Sequence, residues 1–504
     1  MTRIFLHLAT GEIRVVAARR GQSFLHVLFE QGLTVGKPIC AGVGLCGQCK
    51  VRFLKNAPRV LPEEAAFFGA DAIADGWRLA CRHHVDLPVT LAIPSAPSEK
   101  KLISGLGRGG DALAIDIGTT RIKWAPIVKG VHGRESGVLN PQMGAGSEIM
   151  ARLLYAQSSS GAAAYLCTLL VDCIRSIVGR SDIQRLAISG NTTMISLLLR
   201  VSLQGLSHVP YSVPFSGGKI VAVADGLPPA YIPPLLGPFI GADVSAGLAY
   251  LRGKVDVEYP FLLADLGTNG EFVLAVDPKT FVAASVPMGP AIEGVGLCCG
   301  APFGADIASR FELTPNGLSW GGASLTGISG TGYISLLAIL RRVGLVDIDG
   351  HFTSSMFPLG RKISKDFDDH PLGRILRITH GVFLAERDIE EFLKVKAGVN
   401  AAVRALCEVG HLSLTDVKKV YLAGALGENI ESRSLFELGL LPRVFEGRIV
   451  VAGNTSLAGT LKTLEDPVSR TWLAKLPPLV RIVDLVNESE FGRRFVRAMR
   501  FEWV

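Results

Sequence analysis

Leu113-Ala114-Ile115-Asp116-Ile117-Gly118-Thr119-Thr120 returns in the second half of the chain as Leu262-Leu263-Ala264-Asp265-Leu266-Gly267-Thr268-Asn269. Each copy is an apolar strand that ends in aspartate. A Gly-Thr turn follows, then a second apolar run, at 122–128 and 271–276. A β-hairpin with Gly-Thr at its tip offers backbone N–H groups and hydroxyls to phosphate oxygens. The aspartate before the tip can hold Mg²⁺ through water. One such hairpin is weak evidence, because an ordinary hairpin can have a polar tip. A second echo comes in the same order: Ala187-Ile188-Ser189-Gly190-Asn191-Thr192-Thr193-Met194 and Val451-Ala452-Gly453-Asn454-Thr455-Ser456-Leu457. Together the echoes predict a duplicated α/β lobe, with strands and helices alternating from residue 111 onward.

Upstream, Cys40-x5-Cys46-x2-Cys49 is followed at a distance by Cys81, and Gly42, Gly44 and Gly47 fill the loop. Glycine permits the φ > 0 conformations with which a backbone wraps an inorganic cluster. Three thiolates from one loop and a fourth from a distant segment match the plant-type [2Fe–2S] arrangement, with five residues in the first gap instead of four. Zinc sites more often pair two Cys-x-x-Cys units. Around the loop, β-type runs at 4–8 and 13–17 meet at Thr10-Gly11. An amphipathic helix over 23–31 begins at a Ser23 N-cap, and a strand covers 50–53. Residues 1–94 thus resemble the plant ferredoxin and adrenodoxin superfamily, which implies an α+β, ferredoxin-like (β-grasp) domain. His83 and His84 read as surface histidines. Cys167, Cys173 and Cys407 read as core, as does the vicinal pair Cys298-Cys299.

The 504 residues exceed what one hydrophobic core usually holds. A hydrophobic fraction of 48% with 19% charged residues excludes a disordered chain. The net charge of +7 is too diffuse to argue for nucleic acid. Nine cysteines, an odd number, argue against a secreted disulfide framework. No apolar run approaches the ~20 residues a membrane span needs, and the first residues lack a signal-peptide pattern. The expectation is a cytoplasmic protein with no membrane and no nucleic-acid partner. Residues 95–110, rich in Pro, Ser, Gly and Lys, read as a linker. Residues 111–504 read as two lobes, roughly 111–255 and 256–504.

Further glycine turns follow. Gly330 and Gly332 open a helix at Tyr333, and Gly424 and Gly427 close a strand. With the two hairpins, these resemble the nucleotide motifs of the actin, sugar kinase and chaperone ATPase superfamily, which implies an α/β, two-lobed, actin-like (ribonuclease H-like) ATPase domain. The whole chain resembles the reductive activators of corrinoid proteins. The resemblance rests on Asn140-Pro141-Gln142, Gly190 to Met194, Gly241-Ala242-Asp243, Asp265 to Glu271, Gly289 to Gly294, and Gly424 to Gly427. It departs at Gly146-Ser147-Glu148, Ser196 and Ala425-Leu426, and the middle domain of the larger members reads as absent.

The resemblance implies ATP-dependent return of a Co(II) corrinoid protein to Co(I), in a methyltransferase system, with an electron from a [2Fe–2S] cluster on Cys40, Cys46, Cys49 and Cys81. The electron donor stays unknown, and a homodimer is implied. Asp116 and Asp265 would hold Mg²⁺. Thr119, Thr120, Thr268 and Asn269 would meet the phosphates of ATP, with Gly118, Asn191 and Gly267 in the same cofactor site, and Gly330, Gly332, Gly424 and Gly427 would line the adenosine pocket. Asp243 and Glu148 are the candidates for positioning the attacking water, with Glu293 behind them. Two rival readings stay open: an ATP-dependent activator of another enzyme, and a redox-responsive protein that binds nucleotide without turnover.

Overall fold

The computed structural model describes residues 1–34, 42, 44, 47–94, 111–179, 182–254, 257–288, 296–301, 303–304, 306–322, 324–424, 427, 430–485, 487–488 and 490–504. The predicted linker, Cys40, Cys46, Glu293 with the rest of Gly289 to Gly294, and Ala425-Leu426 lie outside the described residues. The chain divides into two compact units. One comprises Met1–Leu102, Gln142–Ser147 and Glu293–Glu391. The other comprises Ile103–Pro141, Glu148–Ile292 and Phe392–Val504.

In the first unit, β1 (Thr2–Leu8), β2 (Ile13–Ala18), β3 (Lys50–Lys55), β4 (Trp77–Leu79) and β5 (Val89–Ile93) form one sheet in the order β2-β1-β5-β3-β4. β1 is antiparallel to β2 and parallel to β5. Side chains alternate across a strand, so Ile4 and Leu6 face inward and are fully buried. The helix Phe24–Glu30 covers that face with Phe24, Leu25, Val27 and Leu28. Its N-cap is Ser23, whose Oγ accepts from the His26 amide at 3.2 Å. This is the β-grasp arrangement expected for the segment.

Glu64 ties the second half of this domain together. It is fully buried. Its carboxylate accepts from the Leu61 amide (2.9 Å), the Leu79 amide (2.8 Å) and His83 Nε2 (2.9 Å), with Arg78 at 4.0 Å. His83 is therefore not the surface residue expected: it is buried on Glu64, and only His84 is exposed. A buried carboxylate must be hydrogen-bonded, and removing it strands its donors. Replacing Glu64 with alanine is expected to cost about 3–5 kcal/mol, read as a lower denaturant midpoint for the unfolding of this domain.

The second unit holds two sheets of matching design. The first runs through β6 (Ala112–Ile117), β7 (Arg121–Val128), β8 (Val131–His132), β9 (Ser136–Leu139), β10 (Arg185–Gly190), β11 (Lys219–Val221) and β12 (Ala230–Ile232). Its order is β11-β12-β10-β6-β7-β8, with β9 also on β7. The second contains β13 (Phe261–Leu266), β14 (Asn269–Asp277) and β15 (Thr280–Pro287). Lys419–Ala423 and Ile449–Gly453 extend it beyond β13, and Val480–Ile482 adds to β15. In each sheet an antiparallel hairpin, β6–β7 or β13–β14, has a parallel strand on its first member, β10 or Lys419–Ala423. The helices Ala242–Arg252 and Thr455–Glu465 pack closely because Gly459 lies against Ala246. A Cβ there would come within 1.8 Å of the Ala246 carbonyl oxygen.

The shorter echo is structural too. Asn191 and Asn454 each cap a helix after a strand, accepting from the Met194 and Leu457 amides at 2.9 and 3.0 Å. Cys167, Cys298 and Cys407 are buried, while Cys173 and Cys299 are half-buried. Among the described residues no helix is long and apolar enough to cross a membrane.

Lys396, in the middle of the helix Glu386–Val409, is fully buried. Its Nζ donates to the Ala498 carbonyl at 2.9 Å and to the Glu502 carbonyl. Burial pushes its pKa down to about 7. The unfolded chain keeps this proton to about pH 10. Between about pH 7 and 10 it therefore binds more protons than the folded chain, and the stability contributed here rises with pH. Against Lys396→Met, the wild type is expected to gain stability steadily over that window, measured by denaturation at each pH.

Candidate functional site

The cysteine site is built on the turns around β3 and β4. Cys49 and Cys81 are both buried, and the Ala80 amide donates to the Cys49 carbonyl at 2.9 Å. Gly42, Gly44 and Gly47 all have positive φ, at 85°, 85° and 62°. The φ > 0 expected of a loop that wraps a cluster is thus present at all three glycines. These two thiols and the glycine turns fit an iron–sulfur cluster.

The second site is in the other unit, where the two hairpins meet. Thr120 Oγ1 and Thr268 Oγ1 share a hydrogen bond of 3.1 Å. Asp116 closes β6. Its Oδ1 accepts from Ser456 Oγ at 2.8 Å, and a hydroxyl chain continues from Ser456 to Ser189 (2.9 Å) and Thr460 (2.7 Å). Asn191 Nδ2 donates to Thr119 Oγ1 at 2.9 Å. Gly118 has no room for a side chain, since a Cβ would lie 2.7 Å from the Arg121 carbonyl oxygen. Gly267 has only ordinary contact there, at 3.5 Å. Gly424, with φ 81°, abuts the second aspartate: a Cβ would sit 2.7 Å from Asp265 Oδ1.

Asp243 reaches the same place by a close approach of backbones. Gly241 presses on the turn Gly190-Asn191-Thr192, where a Cβ would come within 2.5 Å of the Asn191 Cα. The next helix begins at Ala242 with Asp243 in its first turn. The result is a group of carboxylates that feel one another. Asp243 is pushed up to about 8, by burial and then by Asp116 and Asp265. Asp265 is pushed up to about 7, by burial and then by Asp116. Asp116 is raised chiefly by burial. Glu271 stands opposite Asp265 in the hairpin register and is raised well above the usual range, by burial and then by Asp243 and Asp265. Glu148 is raised by burial alone.

Carboxylates held together against their repulsion favour a divalent cation. Among the described residues no three histidine, cysteine or acidic groups are placed to ligate a metal ion directly. The arrangement fits Mg²⁺ that keeps several of its waters. Gly330 and Gly332 lie in the unit with the cysteine site. Their helix, Gly330–Arg342, starts three residues earlier than expected because Ser329 Oγ accepts from the Gly332 amide at 3.3 Å.

The pairing of Glu271 with Asp265 escaped the sequence reading, although its signal was there: residues 265 and 271 are equidistant from the tip at 268, so a hairpin must face them. Arg152 gave no signal. It is fully buried, in contact with the first hairpin.

A family model described as a 2Fe-2S iron-sulfur cluster binding domain matches residues 9–86. A second, of the RACo middle region, matches 112–252, and a third, of the C-terminal ASKHA domain of RACo, matches 260–503. The expectation that a middle domain is absent is thereby corrected: the stretch read as the first lobe is the one that matches the middle-region model. A corrinoid activation enzyme, RamQ, of Eubacterium limosum is 23% identical over 438 residues, covering 81% of this chain and 72% of the relative. The [Co(II) methylated amine-specific corrinoid protein] reductase of Methanosarcina barkeri is 26% identical over 325 residues, and the match spans 55% of each protein. A solved structure of a reductive activator for a corrinoid, iron–sulfur protein superposes over 99% of this chain and 98% of its own, with a TM-score of 0.69 at 20% identity.

Fold and sites define a class: an iron–sulfur protein in which a ferredoxin domain is joined to an actin-like, ASKHA domain. The two segments that follow the ferredoxin domain both match models built on one kind of protein. The chain belongs to the family of reductive activators of corrinoid proteins.

Proposed function

We propose that the protein returns a Co(II) corrinoid protein to Co(I) by one-electron transfer, driven by ATP. The observation that carries this reading is the presence in one chain of two sites. One is a pair of buried thiols beside left-handed glycine turns. The other is a pair of Gly-Thr hairpins that meet at Thr120 and Thr268 and whose aspartates feel each other's charge. When bound, the [2Fe–2S] cluster supplies one-electron chemistry on Cys40, Cys46, Cys49 and Cys81.

The chain's own residues do the rest. Thr119, Thr120, Thr268 and Asn269 meet phosphate oxygens. Asp116 and Asp265 would hold Mg²⁺, through water, beside those oxygens. Asp243, in the first turn of its helix, is coupled in charge to Asp116 and Asp265, which makes it the better of the two candidates for holding an attacking water, whereas Glu148 shares no charge coupling with that group. Positioning and charge stabilisation are what phosphoryl transfer asks of a protein. Transfer from a plant-type cluster to a corrinoid is uphill, so ATP must change the protein for the electron to move. The test is anaerobic mixing with a Co(II) corrinoid protein, a reductant and ATP, followed by absorbance. Co(I) is expected with ATP and absent without it. No Co(I) with any corrinoid partner encoded nearby overturns the reading.

A further inference from the structure

The first hairpin is held from behind by two residues with no role so far. Asn140 Nδ2 donates to the Gly118 carbonyl at 2.8 Å, and the Asn140 amide donates to the Thr120 carbonyl, also at 2.8 Å. Arg152 Nη2 donates to the carbonyl between them, that of Thr119. Three successive carbonyls of the tip are thereby engaged. The two donors act from one side, since both side chains also reach the Met194 sulfur, Arg152 at 3.1 Å and Asn140 at 3.8 Å. Both are fully buried. Asn140 directly follows β9, the strand paired to β7, and Arg152 lies one turn into the helix Ile149–Gln157.

A trans peptide points its N–H opposite to its C=O. A carbonyl fixed on one side therefore fixes the next residue's N–H toward the other. Gly118 O sets Thr119 N–H, and Thr119 O sets Thr120 N–H. We infer that Asn140 and Arg152 are positioning residues for nucleotide phosphate: they lock the tip so that successive amides form a preformed cradle for phosphate oxygens. A cradle set in advance avoids the ordering cost of binding. The guanidinium also places a buried positive charge behind the cradle, on the side away from the anion. This inference rests on the nucleotide-site reading and adds to it the residues that set its geometry.

The experiment uses the full chain, purified anaerobically, with ATP and adenosine as probes in calorimetric titrations. Arg152→Met keeps the bulk of the side chain and removes its donors. It is expected to weaken ATP by about 10-fold or more, the range for hydrogen bonds to charged groups, and adenosine by less than about 2-fold. Asn140→Ala removes the Gly118 contact from the other element and is expected to act in the same direction, so the test survives if one variant does not fold. A purely structural role would lower the melting temperature without nucleotide and leave the ratio of ATP to adenosine affinity unchanged. That result, or unaltered ATP binding in both variants, overturns the inference. A wild-type chain that binds no ATP overturns the nucleotide-site reading, and this inference with it.

Discussion

Asp265→Asn is expected to cut ATP-dependent corrinoid reduction by about 100-fold or more, while the metal-free protein melts higher than the wild type. The two effects have one cause. Asp265 is wedged between its register partner Glu271 and the turn at Gly424, and it feels the charge of Asp116. Burial and that charge push it up to about 7. A carboxyl raised in the folded state stabilises the fold below its unfolded value of about 4. The contribution is lost as pH rises through the folded value. Near neutrality the aspartate therefore destabilises the metal-free fold, and an amide of the same shape removes the repulsion. The expected gain is roughly 2–4 °C, the shift that about 1 kcal/mol produces in a sizeable domain. Melting curves from pH 5 to 8 without metal should fall less steeply in the variant. Activity close to wild type in Asp265→Asn would remove this residue from the site.

Cys81→Ala is expected to leave protein with almost no iron and no visible absorption band, and to abolish reduction altogether. Cys81 is buried just beyond the β4 strand, which the Glu64 carboxylate holds through the Leu79 amide. A cluster on cysteine thiolates needs all four, and the nearby His83 is committed to Glu64. ATP affinity should stay within about 2-fold of wild type, a change under ~0.5 kcal/mol, because the phosphate-type hairpins fold in the other unit. Iron and ATP binding, measured on one preparation, separate the two sites. Full iron content would show that Cys81 is not a ligand.

The hairpins and the glycine-filled cysteine loop were legible in the sequence, and so was the echo of Asn191 in Asn454, though not that each caps a helix. Each is a local pattern whose backbone demands are written in neighbouring residues. Asp116 and Asp265 were legible because each sits at a fixed step before a Gly-Thr tip. What the sequence hid was long-range. The Ser456–Ser189–Thr460 hydroxyl chain on Asp116 joins residues some 270 to 340 positions apart in the chain. Serine and threonine carry no pattern that foretells such a contact. His83 was misread for the same reason: its partner, Glu64, is 19 residues upstream in a short 3₁₀ turn. Arg152 was hidden because a charged residue on a short helix ordinarily faces water.

The Thr120–Thr268 contact has a mechanical meaning. A hydroxyl–hydroxyl bond of 3.1 Å between the two tips is a weak link, worth about 1 kcal/mol. A phosphate oxygen can accept from both hydroxyls at once, and such charge-assisted bonds are roughly twice as strong. The pair ties the tips of the two duplicated hairpins to each other. A phosphate oxygen that accepted from both hydroxyls would exchange that single weak bond for two stronger ones, one to each sheet.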